Sequence, residues 1–141
     1  MINKHILSSA DYQKIENLCM ENGMPIAALM EKAGLKLVEK FKSLFPCKEY
    51  REIGILVGPG HNGGDALVMA RELLLQGYKT EIFVPGAVSK ELCKQHLAYY
   101  QYLGGSICNN LNKSCKWNVI IDGLFGFGLK RNLANLSRNP S

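Results

Sequence analysis

The stretch EIGILVGPGHNGGDALVMARELLLQG, residues 52 to 77, constrains this chain more than any other. It begins as a short apolar run rich in Ile and Val, the pattern of a strand buried on both faces. It then breaks into Gly58, Gly60, Gly63 and Gly64, with His61, Asn62 and Asp65 among them. Leu67, Ala70, Leu73 and Leu74 follow at helical spacing, and Gly77 is a natural helix terminator. A buried strand that feeds a helix through a tight turn belongs in a sheet of parallel strands with helices packed on it.

The flanking segments agree. KTEIFVP reads as a second strand, SICNNL as a third and WNVIIDGLFG as a fourth, apolar up to Asp122. Between the second and third, Leu92, His96, Leu97, Tyr100 and Leu103 mark a helix that Ser89 can cap and Gly104-Gly105 ends. Upstream, Ser8 and Asp11 fit a capping box before a helix ending near Gly23. Pro25 suits the first turn of a second helix, whose stripe is Ile26, Leu29, Ala33, Leu37, Phe41 and Leu44, stopped by Pro46. These elements predict an α/β sandwich with a mainly parallel sheet and two N-terminal helices.

A chain of 141 residues is expected to form one domain and can bury its own core. No apolar run reaches membrane-spanning length, and MINKHILSSADYQ lacks the apolar core of a signal peptide. Cys19, Cys47, Cys93, Cys108 and Cys115 form no CxxC pair, which points to reduced thiols in a cytoplasmic protein. The net charge of +5 is dispersed; the densest basic run, KAGLKLVEKFK, is interrupted by Glu39 and reads as a solvated helix face. Aromatic and basic residues do not interleave, which argues against a nucleic-acid surface.

Two glycine-rich segments, GPGHNGGD and GLFGFGL, lie at the carboxyl ends of predicted strands, where doubly wound sheets bind ligands. Gly58, Gly60 and Gly63 satisfy GxGxxG, but the next strand ends IFVP without the ribose-binding acid, and Glu81 comes too early in it. Gly58 and Gly63 also have Walker A spacing, yet Gly64-Asp65 stand where that loop needs Lys-Ser/Thr. The glycines alone could serve only a tight turn. Asp65 could cap a helix beginning at Ala66, and Asn62 could occupy a left-handed turn position. Equally, an Asn oxygen beside bare backbone can ligate a hard cation, and exposed amides can hold phosphate. His61 reads equally as a partly exposed turn residue. Asp122, a carboxylate at the tip of a buried strand, suits ligand, acid/base or metal roles, with a cap as the plain alternative.

VGPGHNGGDALVMARELLLQGY followed by VIIDGLFGFGL, with ENGMPIAALMEKAG upstream, resembles the YjeF N-terminal domain, the NAD(P)H-hydrate epimerase family, over essentially the whole chain. The resemblance implies a Rossmann-like three-layer sandwich, usually a homodimer, that interconverts the R and S forms of NAD(P)HX, the hydrated and damaged cofactor. An NAD(P)HX dehydratase then restores the S form. It implies substrate contacts from His61, Asn62, Gly63, Gly64 and Asp65, and from Gly126, Phe127, Gly128, Leu129, Lys130, Arg131 and Asn132. It implies a potassium ion held by Asn62 and Asp122, with Asp122 also the candidate acid/base. A cation beside a carboxylate favours its charged form, so the ligand and proton-transfer roles compete.

Two departures stand out. The family usually has Asn-Asn-Gly-Gly-Asp where this chain has His61-Asn62-Gly63-Gly64-Asp65. The family also continues to an Asp-x-Pro-Ser-Gly motif, whereas this sequence ends RNPS without the Asp. The expectation is therefore a single domain over residues 1–141, incomplete at the C-terminus and lacking the final strands. The resemblance implies an epimerase; the alternative is a non-catalytic module of the same fold that binds a nucleotide metabolite or RNA, or acts as a scaffold.

Overall fold

A computed structural model describes residues 9–111, 116–124 and 128–129. Helices α1 (Ser9–Glu21) and α2 (Ile26–Leu44) precede β1 (Glu52–Val57), and α3 (His61–Leu75) carries the chain to β2 (Lys79–Phe83). Then come α4 (Glu91–Tyr102), β3 (Ser106–Ile107), β4 (Val119–Gly123) and β5 (Gly128–Leu129). The sheet order is β3-β2-β1-β4-β5. β1 lies between β2 and β4 and is parallel to both, β3 is parallel to β2, and β5 runs antiparallel to β4. The expected mainly parallel α/β architecture is the one found.

Alternation along β1 divides the core. Ile53, Ile55 and Val57 face the helices and join Met30, Phe41, Leu67, Met69, Leu73, Ile82, Tyr100 and Ile121 in one cluster. Leu56 and Ile120 face the other way and pack with Trp117 and Cys108. Gly54 lies directly under the Trp117 ring, so a Cβ there has no room. Trp117 Nε1 donates to Glu81 Oε1 at 2.9 Å, which accounts for the acid that comes too early to hold a ribose.

α3 is the keystone of the helical layer: Ala66, Leu67, Val68, Met69, Ala70 and Leu73 have no exposed surface. Each of its larger apolar side chains contributes about 1.5–3 kcal/mol by leaving water. α2 runs alongside it in the same direction. Met30 touches Gly64, Gly34 meets Val68, and Phe41 packs edge-on against Tyr78 with ring centroids 5.6 Å apart. Gly34 allows the close approach, since a Cβ there would overlap Val68.

That contact rotates the buried stripe of α2 from the one expected. Met30, Gly34, Val38 and Phe41 are buried, while Ile26 and Leu44 are 42% and 50% exposed. Pro25 is the N-cap rather than a first-turn residue, with the extended ψ of 139° that a preceding position requires. Lys90, not Ser89, is the N-cap of α4. Gly77 and Gly104 end α3 and α4 as expected, with φ of +100° and +92°, values that suit glycine. The capping box at Ser8 lies outside the described residues.

Candidate functional site

The chain leaves β1 toward β2 on one side and returns as β4 on the other. This is a topological switch point, and its crevice opens beyond the carboxyl ends of β1 and β4. Val57 pairs with Gly123 and Leu56 with Asp122, so the first glycine segment and Asp122 leave the sheet side by side.

α3 begins at His61, five residues before Ala66, with Gly60 as its N-cap at φ −98° and ψ −159° and no side-chain cap. Two expectations are corrected here. Asp65 is not a cap but a half-buried residue inside the helix. Asn62 does not occupy a left-handed turn: its main chain is helical, and no described non-glycine residue has a positive φ. Gly63 and Gly64, read from sequence as part of a loop, are helical, and packing demands glycine at both. Gly63 rests on the Gly58 carbonyl, and a Cβ at Gly63 would overlap it. Gly64 rests against the Met30 thioether and lies near Cys93 Sγ. Gly58 in turn lies against Gly123 and Leu124, where a Cβ would come within 2.6 Å of the Leu124 carbonyl oxygen. Gly60 has nothing within 4 Å of its Cβ position.

These contacts form a chain from Gly63 to Gly58 to Gly123 and Leu124, which sets the start of α3 beside the end of β4. The Gly58 N–H donates to the Gly123 carbonyl at 3.0 Å, closing the seam. No side chain caps this helix start, which presents the positive end of the helix dipole, the arrangement that favours an anion, while the Gly63 N–H already donates to the Gly60 carbonyl at 3.0 Å. Asp122 is half-buried at the same edge, and its Oδ1 accepts the Leu124 N–H at 3.0 Å, which fixes the carboxylate over the strand end. The crevice thus combines an uncapped helix start, suited to an anion, with a carboxylate oxygen.

The second glycine segment differs from the expected loop. Gly128 and Leu129 form β5, pairing with Asp122 and Ile121, so part of the segment turns back along β4. His61 and Asn62 contribute the first two positions of α3. Gly126, Phe127, Lys130, Arg131 and Asn132 lie outside the described residues.

Sequence reading missed the floor of the turn. Cys93 of α4 is 1% exposed and sits under it, its thiol donating to the Gly60 carbonyl at 3.7 Å. Burial, and next the Asp65 carboxylate, push this thiol's pKa up, against the opposing pull of Lys90 and a hydrogen bond with the Gly64 backbone. It is a packing and positioning group rather than a nucleophile. The available signal was helical spacing: Cys93 lies seven residues before the buried Tyr100, on the same face of α4.

Comparison with known proteins decides the family. The model of the YjeF-related protein N-terminus matches residues 26–139. The chain belongs to the YjeF N-terminal family. It is 45% identical to a bifunctional NAD(P)H-hydrate repair enzyme Nnr of Synechocystis, over 89% of this chain and 24% of that protein. It is 45% identical to the Nnr of Gloeobacter violaceus, over 92% of this chain and 26% of that one. With an NAD(P)H-hydrate epimerase of Lentilactobacillus buchneri it shares 38% identity, over 79% of this chain and 52% of the relative. The crystal structure of yeast ynu0, YNL200c, superposes with a TM-score of 0.76 at 27% identity, covering 92% of this chain and 60% of that one. This YjeF N-terminal chain therefore spans about a quarter of the length of the bifunctional relatives and about half that of the epimerase.

Proposed function

We propose that this YjeF N-terminal domain is an NAD(P)H-hydrate epimerase, interconverting the R and S forms of NAD(P)HX in nicotinamide-nucleotide repair. The observation that carries the reading is the pairing, at one switch point, of the uncapped α3 turn with the Asp122 carboxylate. The turn suits the pyrophosphate of a dinucleotide. Asp122 suits the electrostatic support of a ring carbon whose bond must break and re-form. Identity of 38% to a protein named for this activity supports the same reading.

A potassium ion belongs to this proposal. Asp122 supplies a carboxylate and Asn62 an amide oxygen, both hard donors of the kind such a cation prefers. The ion would stabilise charge developing at the substrate. Asp122 would then act as a ligand, while the turn binds and orients the nucleotide.

We further propose that the domain works with an NAD(P)HX dehydratase, as the bifunctional names of its relatives suggest, and that it acts in the cytoplasm as a homodimer. The exposed apolar side chains Ile15, Leu18 and Leu35 on α1 and α2, 40–59% accessible, support a second copy as their cover. Among the described residues no helix is long and apolar enough to cross a membrane.

The test follows pure R-NADPHX by chromatography with and without the protein, in potassium and in lithium chloride. Conversion to the S form, faster in potassium, is the expected result. No conversion by folded protein, together with no heat on titration of NADPHX to millimolar concentration, would leave the scaffold alternative standing instead.

A further inference from the structure

Two helices press on the glycine turn from outside it, and a single arginine links them electrostatically. Met30 of α2 and Cys93 of α4 both lie against Gly64, and Cys93 also donates to the Gly60 carbonyl. The residue after Met30 is Glu31, and one helical turn after Cys93 comes His96. Both bear on Arg71 of α3. Arg71 is 7% exposed, and its guanidinium grips Glu31 through both terminal nitrogens, at 3.1 Å from Nη1 and 2.5 Å from Nη2. Its Nε donates to Glu72 at 2.9 Å. His96 lies in the field of Arg71 and Glu31, and its buried Nε2 has no hydrogen-bond partner among the described residues.

The direction of the grip matters. α2 and α3 run in parallel, with Met30 level with Gly64 and Gly34 level with Val68. Arg71 therefore reaches back toward the start of α3 to meet Glu31, beside the residue that touches Gly64. A surface ion pair between neighbouring helices could do this at any level; this one is forked, shielded and adjacent to the wedge. Forked arginine–carboxylate pairs fix geometry as well as attraction.

We propose that Arg71, through its forked pair with Glu31, is a positioning residue for the nucleotide site: it holds Met30 against Gly64 and so sets the pitch of the turn between Gly60 and Gly64. Arg71 is two helical turns from the glycines, and its guanidinium is bonded to Glu31 and Glu72 rather than to the turn. Its effect on ligand passes through α2. Position 71 should then control how well the turn's N–H groups converge on an anion, separately from how stable the fold is. This rests on the proposed epimerase reading only for its choice of ligand.

The experiment compares Arg71→Met, Arg71→Lys, Glu31→Gln and the double variant Glu31→Gln/Arg71→Met. The amide resonances of Gly60, Gly63 and Gly64 are read in two-dimensional NMR spectra, beside the KM and kcat for R-NADPHX. Arg71→Met is expected to move the three glycine resonances and raise KM about fivefold or more, with kcat held within about twofold. Arg71→Lys, which keeps the charge but loses the fork, should recover part of the effect. The double variant should match Arg71→Met rather than add to it. Arg71→Met that melts lower yet keeps wild-type glycine resonances would overturn the proposal. If Arg71→Met does not fold, Glu31→Gln decides alone, since its carboxylate is 40% exposed and removing its charge spares the core. A wild-type protein that neither binds nor converts NADPHX would sink the epimerase reading, while the glycine resonances would still decide the role of Arg71.

Discussion

Replacing Gly58 by Ala tests the seam on which the site depends. A Cβ there would lie 2.6 Å from the Leu124 carbonyl oxygen, 2.7 Å from that of Gly123 and 2.9 Å from the Leu124 Cα. All three are main-chain atoms, so no side chain can rotate aside. To reach ordinary contact, β1 and β4 must separate at their carboxyl ends by about 0.8 Å. The Gly58 N–H bond to Gly123, now 3.0 Å, then stretches beyond useful range. Overpacking costs about 1–3 kcal/mol and the lost hydrogen bond about 0.5–1.5 kcal/mol. The stiffer unfolded chain of the Ala variant offsets about 0.4–1 kcal/mol. The net is a destabilisation of roughly 0.5–4 kcal/mol, a fall in Tm of about 2–16 °C for a domain of this size.

The same shift displaces Asp122 and Leu124 relative to α3, and errors of this scale at a reacting centre cost about tenfold or more in rate. The control is Gly60→Ala, two residues on, where a Cβ meets nothing within 4 Å and φ is already an ordinary −98°. Its stability should stay within about 1 kcal/mol of wild type, loss of a favourable N-cap being balanced by a stiffer unfolded chain. Urea unfolding of the two variants, with the epimerisation assay run on Gly58→Ala beside wild type, makes the comparison. A Gly58→Ala protein as stable as Gly60→Ala and as active as wild type would refute the reasoning, because it would show that the seam can open without consequence.

Asp122→Asn should lower epimerase activity about 100-fold or more while leaving Tm nearly unchanged, since an amide oxygen can still accept the Leu124 N–H; potassium-dependent rate and thermal melting, measured together, check it. For His96, burial first and Arg71 second hold the pKa below its ordinary value, against a smaller opposing effect of Glu31. The folded state therefore binds fewer protons than the unfolded one near pH 6, so stability should fall as pH drops through the unfolded value of about 6.5 and level off below the folded one. His96→Leu should flatten that slope and, by removing an unpartnered buried nitrogen, gain up to about 1–3 kcal/mol at neutral pH; urea unfolding at pH 7.5 and 5.5 gives both results.

Strands and their order of appearance were legible because apolar runs such as 53–57 and 119–121 admit little else, and the glycines closing α3 and α4 were legible because positive φ has a residue preference. Helix starts were not. The start of α3 was misplaced by five residues because glycine is scored as a breaker, whereas here it is the only residue thin enough for the contact. The buried face of α2 was misread for the same reason: Gly34 is a contact point that no hydrophobicity pattern counts. β5 was hidden because Gly128 and Leu129 are too few to show alternation. Asp122 could be singled out from sequence because a carboxylate ending an apolar strand is conspicuous. Cys93 and Met30 could not, because their importance lies in what they touch across the fold.

The glycine turn reads from sequence as either a tight connection or a ligand site, and the structure shows how much of it packing alone requires. Gly58 and Gly63 are needed by each other and by β4; Gly64 is needed by α2 and α4. Those three are occupied by packing and would be required whether or not anything bound. Gly60 is not. Its carbonyl accepts from Gly63 and Cys93, but among the described residues nothing lies within 4 Å of its Cβ position, and it is the position where a GxGxxG turn lets its backbone approach a pyrophosphate. The absence of a ribose-binding acid after β2 does not bear on that approach, since Glu81 is committed to Trp117 on the far face and the turn keeps its geometry without it. What the chain holds is a glycine turn beside the Asp122 carboxylate of β4; on the proposed reading the turn would take the phosphate half of a dinucleotide and Asp122 would be the second recognition group. On the proposed reading, a ligand would be gripped by its pyrophosphate and read at the β4 side of the switch point, where a modified nicotinamide rather than the adenosine ribose would be distinguished.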